Sequence, residues 1–312
     1  MSKIVERIER ELGIEGLAGL LAEQLAPTDL QSLLLEVYRR RSARRSPAEI
    51  LASYKSDHFV RPSSISPERL LAWEQTAFSV LPAEFQALEL SPLCPLGTSS
   101  VIAGVSQDWA VTTARNTEVV SDSTNVLALE CALRRRKLLR DDPKSVAPAH
   151  LAASQRLLRA QRFHGPNQVT HFSLLALCSA GRNQGGMEFE ASIFRLHIQF
   201  YLKALRKYLG EDVQLRVAVT DFSGRVEAGW MEAHLLAPFR DEKVECNLEE
   251  TRIAGKGYYP GLCFHIYAVE PSGNYLELAD GGEVDWTQRL LGSAKERLVI
   301  SGIAGERVCS GF

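Results

Sequence analysis

Apolar residues recur at helical spacing through the first sixty positions. Ile4, Val5, Ile8 and Leu12 share one face of a first helix. Thr28 with Gln31 forms a capping-box pattern ahead of LQSLLLEVY, and Ser46-Pro47-Ala48-Glu49 forms a second, with proline at the first helical position. KSDHFVRPSSIS (55–66) reads as a connector, and Ser66-Pro67-Glu68 starts a helix that runs through RLLAWEQTAFSVL to Pro82. Phe85, Leu88 and Leu90 predict an extended stretch, and WAVTT (109–113) a strand. NVLALECALRRRKLL, from 125, predicts a helix that turns basic at its end, with RDDPKSVAPAH (140–150) as a surface loop.

The second half is richer in strand patterns. VTHFSLLALC (169–178) reads as a strand broken by the glycine-rich run 180–186. A long helix follows, with Phe194, Ile198, Tyr201, Leu205 and Tyr208 on one stripe. VQLRVAVTDF (213–222), LCFHIYAV (262–269), NYLELA (274–279) and LVISGI (298–303) read as strands, and Ser272-Gly273-Asn274 as a hairpin turn. The strands form hairpins more than a strict βαβ alternation. The expected fold is therefore α/β of the α+β type, a mostly antiparallel sheet flanked by helices. Residues 1–66 are expected to pack as a helical N-terminal extension and 67–312 to form the main domain.

Composition narrows the function classes only a little. The chain has 312 residues, 45% hydrophobic and 24% charged, the ordinary globular range. Its net charge of -2 provides no overall electrostatic footprint for nucleic acid. Five arginines within 39–45 are the exception; they suit either phosphate, hence RNA, or a solvated helix end. The charged start and the lack of a long apolar run predict a cytoplasmic protein with no membrane span. The six cysteines are scattered without zinc spacing and read as buried free thiols.

Three segments place polar groups beside glycine or at strand ends. Glu118 and Asp122-Ser123-Thr124 suit an ammonium group; Asp122 or Thr124 equally suits the cap of the helix that follows. Arg182 in the glycine-rich run suits a phosphate, and Glu188 or Glu190 just beyond it a metal ion; a solvated hairpin is the alternative. Lys256, Tyr258 and Tyr259 among glycines suit a small pocket, with Gly281-Gly282 and Arg307 following later strands. The histidines form no metal set: His164 and His171 straddle a loop and a strand, and His265 reads as a core residue. G-x-G-x-x-G, Walker, G-x-S-x-G and H-E-x-x-H motifs are all absent.

The order of these segments resembles the class II aminoacyl-tRNA synthetases of histidyl type, together with their regulatory paralogue in histidine biosynthesis. GYYPGLCFHIYA (257–268) is similar to the histidine-pocket segment, ADGGEVDW (279–286) to the glycine pair that follows it, and SGIAGERV (301–308) to motif 3. Asp122-Ser123-Thr124 resembles the element that holds the amino group. SAGRNQGGMEFE (179–190) falls where the motif 2 strand-loop-strand belongs, and the helix at 67–81 where the dimer element, motif 1, belongs.

The resemblance implies a homodimer that binds an amino-acid-like ligand, with ATP and Mg²⁺ as expected cofactors and an acyl-adenylate as the product. It gives catalytic roles to Arg307 and Arg182 and ligand roles to Asp122, Thr124, Glu118, Tyr258, Tyr259, Lys256, Gly281 and Gly282. Glu188 and Glu190 would hold the metal. Ala254 and Glu283 stand where histidyl enzymes carry arginine, and few residues follow Arg307, so no anticodon-binding domain is expected. The alternative is a catalytically silent paralogue that senses a ligand and regulates a protein partner.

Overall fold

A computed structural model describes residues 2–161, 170–240 and 244–312. His164 and Val169, singled out above, lie outside the described residues. The chain begins with α1 (Lys3–Leu12), the short α2 (Leu17–Gly19) with a π-helical turn after it, α3 (Pro27–Ser42) and α4 (Pro47–Ser56). Ser46 and Glu49 make the expected capping box on α4. Thr28 does not cap α3. Pro27 already occupies the first turn and Ala26 is the cap, so Thr28 lies inside the helix. No residue of α3 or α4 is buried, and α1 buries only Glu9. The segment is helical; Leu30, Leu34 and Leu35 of α3 are half-buried, and other apolar residues, such as Ile4, Leu33 and Leu51, are exposed.

The main body starts with α5 (Pro67–Phe78), which stops at Phe78, short of Pro82. Strands β1 (Gln86–Ala87), β2 (Leu93–Pro95) and β3 (Thr117–Val119) are short, and α6 (Ser123–Asp141) follows. Then come β4 (Ala149–Leu158), β5 (His171–Arg182), α7 (Glu188–Leu209) and β6 (Leu215–Asp221). After two one-turn helices, α8 (Ala228–Met231) and α9 (Ala237–Arg240), the chain continues through β7 (Val244–Leu248), β8 (Leu262–Val269) and β9 (Tyr275–Val284). It finishes with α10 (Trp286–Leu291), β10 (Glu296–Ala304) and α11 (Gly305–Ser310). Eight strands form one sheet in the order β1-β4-β5-β10-β9-β8-β6-β7. The six central strands are antiparallel, and only the edge strands β1 and β7 pair parallel, so the sheet is mixed.

Three local expectations are corrected. WAVTT is not a strand: Trp109 ends a 3-10 turn, and only Thr112 makes an isolated bridge, to Glu118. AHLAASQRLL, most of which drew no strand expectation, is β4; its alanines have weak strand propensity and form a strand because neighbours cover both faces. β5 runs on through Arg182, so residues 179–190 are a strand end, a turn and a helix start. β4 and β5 pair as adjacent antiparallel strands.

Burial on both faces explains the unbroken apolar run of β5. Leu175 and Leu177 face α7, whereas Leu174, Ala176 and Cys178 face α6. Phe194, Ile198, Tyr201 and Leu205 of α7 are fully buried against the sheet, each worth about 1.5–3 kcal/mol of burial. Polar side chains also cross this interface. His197 accepts or donates to Ser179 Oγ at 2.9 Å and to Ser301 Oγ at 2.8 Å; Tyr201 OH reaches Ser301 at 3.0 Å, and His150 reaches Ser179 at 2.8 Å. Each hydroxyl thus has partners in a layer that water does not enter. At the opposite face, Arg135 and Glu296, both fully buried, pair at 2.8 Å and fasten α6 to the start of β10.

Burial holds the His197 imidazole down at about 3. In the unfolded chain it takes a proton near pH 6.5. Between these values the unfolded chain binds one proton more, so stability falls as pH falls. Urea unfolding of the native protein and of His197→Gln at pH 7, 6, 5 and 4 is expected to show the excess slope of the native protein, about 1.4 kcal/mol per pH unit below 6.5. Parallel curves would refute the assignment.

Candidate functional site

The α6 face of the sheet is only partly covered, and the uncovered part is a cavity of about 560 Å³. Its floor is β9 and β10, with Asp280, Ile300 and Gly302. One wall is the start of α6, another the Tyr258–Tyr259 pair, and Trp109 and Phe172 supply aromatic surface. Ser64 and Ile65 of the connector close one side.

Asp122 takes the helix-cap role and also lines the cavity. It is the N-cap of α6: Oδ1 accepts from the Thr124 amide at 2.9 Å and from the Thr124 hydroxyl at 2.7 Å. Its other oxygen lies 3.3 Å from Arg159 Nη2. Arg159 leaves the end of β4, donates to the Ser121 carbonyl at 3.1 Å and stacks its guanidinium 5.0 Å from the Phe172 ring centre.

Tyr258 lines the cavity with Thr124 and meets Tyr259 edge-on, the ring centres 5.0 Å apart. Burial, with Asp122 close to Tyr258 and Asp280 close to Tyr259, pushes both phenols well above their ordinary value. Both therefore stay protonated and can donate.

Three further carboxylates line the cavity, and each meets an arginine. Asp280 pairs with Arg252 at 3.0 Å, Glu277 with Arg307 at 3.0 Å, and Glu306 with Arg156 at 2.9 Å. Glu306 also accepts from the Ser173 amide at 2.7 Å. Burial pushes the Asp280 carboxyl up, and Arg252 and His265 pull against it. His265 sits behind the floor with Nε2 3.7 Å from both Glu277 and Asp280. Burial drives its imidazole down and the carboxylates oppose that. Arg252 is 7% exposed, and its Nη1 has no hydrogen-bond partner.

Asp122, Thr124, Tyr258, Tyr259 and Arg307 thus converge on one cavity. The other candidates lie outside it. Glu118 is buried and accepts from the amides of Gly97 and Ser99 and from Gln107, tying down the loop around 97–107. Burial works against its charge, but these hydrogen bonds outweigh it and hold the carboxyl below the ordinary range. Lys256 is exposed. Gly281 and Gly282 are packing positions: a Cβ on Gly282 would stand 2.5 Å from Tyr259 Cδ1 and 2.8 Å from the Leu262 carbonyl. Arg182 donates to the Pro143 carbonyl, and Glu190 pairs with Arg297 at 2.9 Å. Glu188 is exposed, and two residues apart on a helix these glutamates point to different sides. Eight residues of β5 separate Leu174, at the cavity, from Arg182, roughly 26 Å of strand.

Sequence reasoning missed Arg159, Asp280, Glu277 and Arg252 as site residues. The Arg-then-polar end of β4 was the available signal for Arg159, hidden because most of β4 shows no strand pattern of its own.

The donor set decides what the cavity can hold. Four carboxylates line the cavity and each is paired with an arginine; Arg159 and Arg307 line it too, whereas Arg156 and Arg252 pair from outside the lining, so among the described residues no surplus positive charge faces inward. Nor do the described residues contain a group of three or more His, Cys, Asp or Glu side chains placed to hold a metal ion. A Mg²⁺-bound triphosphate does not fit this set. A net-neutral ligand carrying both an ammonium and a carboxylate does.

Comparison with solved structures identifies the fold. The chain is similar to an ATP phosphoribosyltransferase regulatory subunit/histidyl-tRNA synthetase from Bacillus halodurans, with 13% identity, a TM-score of 0.58, and 82% of this chain and 83% of that one covered. It is also similar to apo S. aureus histidyl-tRNA synthetase, at 11% identity and TM-score 0.57, covering 79% of this chain and 67% of that one. A histidine–tRNA ligase subunit from Alicyclobacillus acidocaldarius matches at 14% identity and TM-score 0.56, over 80% and 96% of the two chains. No protein-family model and no curated protein sequence matches the chain. The chain therefore shares the fold of these histidyl-tRNA synthetase and regulatory-subunit structures, as the motif order implied.

Gly282→Ala is expected to displace Tyr259 and cost about 1–3 kcal/mol in thermal or urea unfolding, as overpacking does. Lys256→Ala is expected to change stability by less than about 0.5 kcal/mol. Equal, small effects would contradict the packing role of the glycine.

Proposed function

We propose that this cavity binds a small amino-acid-like zwitterion, and that the protein is a ligand-sensing paralogue of the histidyl-type synthetases. The observation that carries this reading is the charge balance of the site. A zwitterion exchanges partners with such pairs and leaves no charge over. Its ammonium meets Asp122 or Asp280, and its carboxylate meets Arg159 or Arg307. The Tyr258 and Tyr259 phenols and the Thr124 hydroxyl select among side chains by shape and hydrogen bonding. One of the similar structures is described as a regulatory subunit, which supports a role in controlling a protein partner. The protein acts as a cytoplasmic homodimer in this reading; no helix among the described residues is long and apolar enough to cross a membrane.

A second reading is an adenylate-forming ligase. It is favoured by one observation: Arg159 and Arg307, both partly exposed, face the same cavity. Its requirement for ATP and Mg²⁺ is what the donor set does not meet.

Thermal-shift and calorimetric titration with the twenty amino acids, with and without Mg²⁺-ATP, separates the two. One amino acid is expected to raise the melting temperature. Asp122→Asn and Asp280→Asn are each expected to weaken its binding about 10-fold or more, the cost of one charge-assisted hydrogen bond. Mg²⁺-ATP alone is expected to leave the melting temperature unchanged. Amino-acid-dependent pyrophosphate exchange, abolished by Arg307→Ala, would overturn the sensing role in favour of the ligase.

A further inference from the structure

The N-terminal helices leave apolar side chains without cover. Among the described residues, 12 of the 22 exposed large apolar side chains fall within residues 4–60, less than a fifth of the chain. They form stripes: Ile4, Ile8 and Leu12 on α1, Leu33 and Val37 on α3, Ile50 and Tyr54 on α4. Three- and four-residue spacing puts each set on one helix face. A face of this kind marks an interaction surface.

Charge along the same segment identifies what covers it. Residues 2–36 carry three basic side chains against seven carboxylates, a net charge of -4. Residues 37–60 carry six against two, a net charge of +4. The two halves are equal and opposite. A polyanion such as RNA satisfies only the basic half and is repelled by the other. A second copy of the chain satisfies both at once, because a two-fold axis sets surface i against j and j against i. Antiparallel placement lays the acidic half of one copy along the basic half of its partner, with the apolar stripes between them.

We propose that residues 2–60 form an isologous, antiparallel interface between two copies of this chain. The body reaches this arm through few polar contacts, among them Thr170 Oγ1 to the His58 carbonyl at 3.2 Å and Asn116 Nδ2 to the Pro27 carbonyl at 3.3 Å. The interface therefore belongs to the arm and does not depend on the cavity being filled.

Sedimentation equilibrium of the full chain tests it. The native protein is expected to dimerise. Ile50→Asp with Leu51→Asp, both exposed positions, is expected to raise the dimer dissociation constant at least 10-fold without changing the melting temperature of the body. Reversing the basic half from +4 to -4 with Arg39→Glu, Arg40→Glu, Arg41→Glu and Arg44→Glu is expected to weaken the dimer several-fold. Adding Glu6→Lys, Glu11→Lys, Glu15→Lys and Glu23→Lys, which takes the acidic half from -4 to +4, is expected to restore it, since both halves are then reversed together. A monomeric native protein, a dimer unaffected by the variants, or a reversal that is not rescued would overturn the proposal. Retention of a short RNA that depends on Arg41 and Arg44, with no change in mass, would overturn it in favour of a nucleic-acid surface.

Discussion

Four carboxylates gather around one cavity in this fold, and each is paired with an arginine; Glu306 is buried and Asp122, Glu277 and Asp280 are partly exposed. Leaving the buried Glu306 charge unpaired costs several kcal/mol, a large share of a domain's margin of stability. Asp122, Glu277, Asp280 and Glu306 each find an arginine, and the four arginines arrive from different places in the sequence: Arg159, Arg307, Arg252 and Arg156. These pairs tie distant elements together. Arg156 joins β4 to the start of α11, and Arg159 joins the end of β4 to the cap of α6. Glu306 and Arg307 follow directly on β10, which ends over the same cavity. Arg252 must fold back onto the β9 floor, which the turn at Gly255 allows at its positive φ.

The same pairs give the site its chemistry. A set of ion pairs in a partly dry cavity holds its side chains in place before any ligand arrives, and each pair can open towards an incoming group of opposite charge. Behind the floor, neutral His265 stands 3.7 Å from two of the carboxylates, so any change in their charge is felt there. On the far face, the His150–Ser179–His197–Ser301–Tyr201 chain locks α7 to the strands that carry the floor. Rigidity there lets the other face stay open.

Elements with a strong repeat were legible from sequence: the α7 stripe, the apolar run of β5, the final strand and the proline-led start of α5. Residues flanking α6, β8 and β10 were legible as candidates too, and Asp122, Thr124, Tyr258, Tyr259 and Arg307 all line the cavity. What escaped was set by long-range pairing. Nothing near Asp280 in the sequence says that Arg252 will neutralise it, and nothing near Arg159 says that Asp122 will meet it. β4 escaped because alanine and arginine make a poor strand until covered on both sides. Glu188 and Glu190 looked like metal ligands only because β5 was read as ending early; carried through Arg182, the strand takes them to the opposite end of the sheet.

Ligand charge is the most direct probe of a charge-balanced site. Calorimetric titration with each of the twenty amino acids and with its methyl ester, at low ionic strength and without nucleotide, isolates it. The account predicts that one free amino acid binds and that its ester, lacking the carboxylate, binds at least 10-fold more weakly. Equal binding of acid and ester, or binding of Mg²⁺-ATP in place of any amino acid, would contradict it.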